Sequence, residues 1–153
     1  MKPSNLTDQP QVGVLVVGNN PANVDTLYSN IVSSRGSKLV ADFAFDLKNI
    51  ISRILKQRPA SIIIDDTLSQ KQIDWLIWKI RKNNKLRDIA ITLVKSSNYD
   101  NPASNGVDEL VLKEGMTRDR LYNAVMNSMK FRKYSDYYKK YFSRGRGLLS
   151  YLN

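Results

Sequence analysis

The sequence contains no cysteine and no histidine. The first absence excludes disulfides and thiolate metal sites, and the second removes the commonest general base and zinc ligand. No apolar run approaches the ~20 residues that a membrane span needs, and the opening MKPSNLTDQP lacks a signal-peptide core. A cytoplasmic location is therefore expected. The glycines form no phosphate loop: GNNP at 18–21 fits neither G-x-G-x-x-G nor G-x-x-x-x-G-K-[ST], so nucleotide binding is not expected. Without histidine or cysteine, no catalytic constellation can be assembled. The chain reads as a non-enzyme with no cofactor and no small-molecule substrate.

What is present suits one globular domain. A length of 153 residues and a 42% hydrophobic share allow a real core. The net charge of +10 is unevenly spread, with seven Lys or Arg and one acid between 130 and 153. The basic balance thus belongs largely to an appendage.

Short apolar runs alternate with helical stripes. VGVLVV (12–17) has the look of a strand buried on both faces, and Pro21 with Val24, Leu27, Tyr28 and Ile31 follows at helical spacing. KLVADFAF is a second strand. Asp46 is placed to cap a helix carrying Leu47, Ile50, Ile51, Ile54 and Leu55. SIIIDD (61–66) is a third strand, and a helix over roughly 70–83 buries Ile73, Leu76, Ile77 and Ile80. One of Trp75 and Trp78 on that helix is expected to be half-buried. DIAITLV (88–94) and DELVLK (108–113) complete five strands, and Thr117 can cap a last helix bearing Leu121, Ala124, Val125 and Met129. The alternation implies a parallel sheet covered on both faces. The crossover KSSNYDNPASNG (95–106) is too rich in Asn, Ser, Pro and Gly for more than one helical turn.

VLVVGNNP, LKQRPASIIIDD, KIRKNNKLRDIAITLV and GVDELVLKEG, in that order, resemble the response-regulator receiver domain over roughly residues 12–130. The resemblance implies a flavodoxin-like (CheY-like) five-stranded doubly wound parallel sheet, here with the fourth helix shortened or lost. It divides the chain into a flexible leader (1–10), a receiver-like domain (11–130) and a basic, Tyr-rich extension (131–153). It also implies a site at the carboxyl end of the sheet, where acids hold Mg²⁺ and metal and lysine neutralise a phosphoryl group. Asp65 falls at the phosphoacceptor and Lys113 at the lysine. The acid pair falls on Gly18 and Asn19, with Asn20 next, so neither charge is present. The hydroxyl switch falls on Lys95, with Ser96 beside it and Thr92 as the alternative; the aromatic switch falls on Leu110.

Two readings of Asp65 follow. In one it accepts a phosphoryl group from a histidine kinase, with Asp65, Asp66 and Asn19 forming a poor Mg²⁺ site. In the other it pairs with Lys113 and ties two strand ends together. The altered pattern favours the second reading: a degenerate pseudo-receiver in bacterial signal transduction, working through signalling protein partners or as a homodimer. The extension interleaves Arg132, Lys133, Lys139 and Lys140 with Tyr134, Tyr137, Tyr138, Tyr141 and Phe142. Such a segment suits a protein partner, nucleic acid or an anionic membrane.

Overall fold

Each apolar run becomes a strand and each stripe a helix in the computed structural model, which describes residues 11–33, 38–96 and 106–152, with 141–152 as backbone alone. The leader proposed for residues 1–10 lies outside the described residues. The order is β1 (Val12–Val17), α1 (Pro21–Val32), β2 (Leu39–Ala44), α2 (Ile50–Gln57), β3 (Ser61–Asp65), α3 (Gln70–Lys82), β4 (Ala90–Lys95), β5 (Glu109–Leu112) and α4 (Arg118–Leu152).

The five strands form one sheet in the order β2-β1-β3-β4-β5, every neighbouring pair parallel. Both faces are covered. Ile50 and Ile54 of α2 and Ile73, Leu76, Ile77 and Ile80 of α3 bury one face, through Leu15, Ile62, Ile64, Ile91 and Leu93. Val24, Leu27 and Ile31 of α1 and Leu121, Ala124 and Val125 of α4 bury the other, through Val14, Val16, Ile63 and Val94. The central strands β3 and β4 read as continuous apolar runs for this reason: neither of their faces meets water. Among the described residues no helix lies between β4 and β5, and residues 97–105 of the crossover lie outside the described residues.

Local chemistry sets the helix boundaries. Asn20 caps α1, its Oδ1 accepting from Ala22 N and Asn23 N at 2.9 and 3.4 Å, ahead of Pro21 in the first turn. Ser69 and Gln72 form a reciprocal capping box on α3. Thr117 caps α4 as expected, accepting from Arg120 N at 3.1 Å. Asp46 does not cap α2. Its Oδ1 takes the Lys48 amide at 2.9 Å in a local turn, and the helix begins at Ile50 after Asn49 in the left-handed region (φ 57°). The short carboxylate is taken by this local turn, an alternative to capping that Asp side chains offer the backbone.

Trp75 and Trp78 are both exposed, at 39% and 49%. Lys79 lies over both rings and Lys82 over Trp78, so cations, not the sheet, are their neighbours. No helix among the described residues is long and apolar enough to cross a membrane.

Candidate functional site at the carboxyl end of the sheet

The strand order reverses between β1 and β3, the place where ligands bind in open α/β sheets. Val17 is level with Ile64, so Gly18 and Asp65 emerge side by side. Asp65 is completely buried. Its Oδ1 lies 2.8 Å from Lys113 Nζ, a charge contact with no directed hydrogen bond to that oxygen. Its Oδ2 accepts from the Thr67 hydroxyl at 2.5 Å and from the Thr67 amide at 3.4 Å. The same Thr67 Oγ1 accepts from Asn19 N at 3.0 Å, which stitches the loop after β1 to the loop after β3.

Asp66 is part of the cluster. Its Oδ1 lies 2.8 Å from Lys113 Nζ, while Ser96 donates its amide to Oδ2 at 2.7 Å and its hydroxyl to Oδ1 at 3.1 Å. Lys113 thus bridges both carboxylates. Burial alone would lower its pKa, but the two carboxylates of Asp65 and Asp66 beside it outweigh that and hold the ammonium above the ordinary lysine value. Burial likewise opposes ionisation of Asp66, yet the bonds from Lys113 and Ser96 hold its pKa below the usual carboxylate value.

A pH effect follows from the depressed group. Asp66 contributes stability that is fully present above its unfolded pKa near 3.9 and is lost as pH falls through its lower folded value. Urea unfolding at a series of pH values is expected to show a steeper acid limb in the native chain than in Asp66→Asn. Identical limbs would remove Asp66 from the account.

Gly18 explains why no acid stands after β1. A Cβ there would lie 2.7 Å from Val24 Cγ2, 3.1 Å from Asp65 Cβ and 3.3 Å from Thr67 Oγ1. The space for a first acidic side chain is closed by the chain's own packing. Asn19 brings its backbone to the site through Thr67, and Asn20 is engaged as the α1 cap. Mg²⁺ demands near-octahedral oxygen ligands. The two acids here are both held by Lys113, and among the described residues no three His, Cys, Asp or Glu side chains cluster for a metal. The donor set does not fit the ion.

The switch positions are also rebuilt. Lys95 closes β4 as a buried residue whose carbonyl accepts Lys113 N at 2.8 Å. Ser96 reaches Asp66 and not Asp65. Thr92 is level with Ile63, fully buried and short of the strand end, so it is not the site's hydroxyl. Leu110 packs partly buried against the α2–α3 core. Thr67 is the site residue that sequence reasoning missed; its only signal is its place two residues past Asp65.

A second cluster, at the opposite end of the sheet, was not foreseen. Asp108, with its side chain 1% exposed, accepts from Ile91 N at 2.8 Å and Arg81 Nη2 at 2.9 Å, and lies 3.5 Å from Arg132 Nη1. Arg81 also donates to the carbonyls of Gly106, Arg87 and Ile89. Arg132 in turn binds Asp136 one turn on, at 3.0 Å. Arg132, expected among the free cations of the extension, is instead buried as a tie to the domain. Lys133 and Lys139 stay exposed, and Lys133 and Lys140 line a cavity of about 600 Å³ beside Arg58, Lys85 and Tyr137. Tyr134, Tyr137 and Tyr138 are exposed, while the side chains of Tyr141 and Phe142 lie outside the described residues.

The sheet order and the placement of the helices are those of the receiver-domain (CheY-like) fold. Known structures agree. The receiver domain of a sensor histidine kinase from Pseudomonas aeruginosa, with a magnesium ion in its active-site cleft, is 16% identical; the match covers 78% of this chain and 98% of that one, with a TM-score of 0.66. The chemotaxis response regulator CheY4 of Vibrio cholerae is 14% identical over 77% of this chain and 98% of its own (TM-score 0.62). A response regulator receiver modulated diguanylate cyclase from Pelobacter carbinolicus is 17% identical, covering 82% and 97% (TM-score 0.62). No protein-family model and no curated protein sequence matches the chain.

Proposed function

We propose that the chain is a pseudo-receiver: a bacterial signal-transduction module that acts through protein–protein contacts, without conventional Mg²⁺-dependent phosphorylation of Asp65. The observation that carries this reading is the closed surroundings of Asp65. One of its oxygens faces Lys113, the other takes the Thr67 hydroxyl, and Gly18 leaves no room for a metal-binding acid. A phosphoryl group arriving there would meet Lys113 but no metal to offset its charge. The acid–lysine pair therefore serves the fold, holding the ends of β3 and β5 in register.

Amide NMR spectra recorded while adding Mg²⁺ and then beryllofluoride, a mimic of an aspartyl phosphate, test the reading. No cluster of shifts around Asn19, Asp65 and Lys113 is expected. A cluster that appears in the native chain and disappears in Asp65→Asn would make the protein a phosphoreceiver and overturn the proposal.

A further inference from the structure

The last helix outruns the domain. Leu121, Ala124 and Val125 of α4 are buried on the sheet, and Tyr122, Met126 and Met129 pack partly buried against the same core. Beyond Arg132 no side chain among the described residues is buried. The helix nevertheless continues to Leu152, a further ~30 Å at 1.5 Å per residue. Gly145 and Gly147 fall within this stretch, and each costs about 1 kcal/mol in a helix interior relative to alanine. A lone helix with two such residues is marginal in water, and burial of one face is the usual source of support.

That face can be read. Phe131, Tyr134, Tyr137 and Tyr138 are 54%, 66%, 68% and 61% exposed. Phe131, Tyr138, Gly145 and Leu152 stand seven residues apart, and Tyr134, Tyr141 and Leu148 form a second series offset by three. In heptad notation the first series occupies a and the second d, and no charged residue interrupts either. A period of seven keeps a seam turned toward another helix along its whole length.

Charge and area identify the occupant. Arg132, Lys139 and Arg146 fall at b, and Lys133 and Lys140 at c, away from the seam. In a parallel, in-register pair each g residue meets the e residue five positions on in its partner. Lys130 then meets Ser135, Tyr137 meets Phe142 and Arg144 meets Leu149, so two chains of net charge +10 bring no like charges together there. Large side chains bury about 150–250 Å² each, so the seam and its flanks approach the ~800 Å² per partner of a standard specific interface.

We infer that the uncovered face of α4 pairs with that of a second copy of this chain, in a parallel, in-register coil from Phe131 to Leu152. The pairing does not depend on how Asp65 behaves.

The absence of cysteine makes the test clean, because any introduced thiol is the only one. Under mild oxidation of the full-length chain, Tyr134→Cys at the seam is expected to give a disulfide-linked dimer, and Ser143→Cys at the outer f position is not. Sedimentation equilibrium at micromolar concentration is expected to give twice the chain mass for the native protein. The chain mass itself is expected for Tyr134→Glu with Tyr141→Glu, with the melting of the sheet domain unchanged. Native protein that sediments as a monomer, or equal linking at both thiol positions, would overturn the pairing. A monomer that floats with phosphatidylserine vesicles would overturn it in favour of an anionic membrane surface.

Discussion

Asp108→Ala is expected to lower the unfolding free energy by about 3–5 kcal/mol, the usual loss when one partner of a buried ion pair is removed. The side chain is 1% exposed and answers three groups at once: the Ile91 amide, Arg81 and Arg132. Alanine leaves two largely buried guanidiniums facing each other and the Ile91 amide at the start of β4 without its acceptor. Asp108→Asn keeps an acceptor for Ile91 N but loses the charge, so its loss should be smaller, about 1–3 kcal/mol. Urea denaturation measures both. Hydrogen exchange at the Ile91 amide supplies the local signature and should accelerate more in the alanine variant than in the asparagine variant. An unchanged urea midpoint for Asp108→Ala would remove the cluster from the list of what holds β5 in place.

The cluster has a structural reason in the crossover between β4 and β5. Here Arg81 of α3 reaches across, grips the Gly106 carbonyl with Nε and Nη2 at 3.1 and 2.8 Å, and binds Asp108 directly. Gly106 stands at φ +100°, a conformation L side chains rarely adopt, and a Cβ there would meet Ile77 Cγ2 at 2.9 Å. The chain thus re-enters the sheet through one tight, charged anchor. The anchor is not cheap: burial raises the pKa of Asp108 despite its two arginines, and lowers that of Arg81. Arg132 extends the same anchor to α4 and Asp136 continues it one turn further, so one ionic chain joins α3, the start of β5 and the root of the projecting helix.

The sheet was legible because its strands are buried on both faces. SIIID and AITLV have no polar period, which fits only parallel strands covered by helices. The helices were legible from their stripes, and the pairing of Asp65 with Lys113 from their places at the ends of β3 and β5. What escaped depended on partners distant in sequence. Arg132 looked like one cation among many in a basic segment, since its acid, Asp108, lies 24 residues earlier. Thr67 raised no expectation, since what it binds includes the Asn19 amide 48 positions away. The Asp46 cap failed locally, because a short carboxylate can close a turn on its own backbone as readily as it caps a helix. Gly18 read only as a missing acid; the packing of Val24, Asp65 and Thr67 around it is what makes glycine a requirement there.

The Lys113 bridge carries the other large effect, and its pattern separates a structural pair from a reactive one. Lys113→Met should cost about 3–5 kcal/mol, because it strands the fully buried Asp65 carboxylate with Asp66 close by and no cation between them. Asp65→Asn should cost much less, about 1–2 kcal/mol, since Lys113 keeps Asp66 and the amide oxygen can still accept from Thr67. The double variant Asp65→Asn with Lys113→Met should then be more stable than the sum of the single losses predicts, by about 1–3 kcal/mol of coupling. Chemical denaturation of the four proteins closes the cycle. The alkaline limb gives a second check: a lysine whose folded pKa is raised contributes stability that is intact below its unfolded value near 10.4 and is lost as pH climbs through the folded value. That limb should flatten in Lys113→Met. Additive single losses would mean that Asp65 and Lys113 do not hold each other in the folded chain, and an acid at a sheet's switch point that no lysine holds would again be a candidate for chemistry.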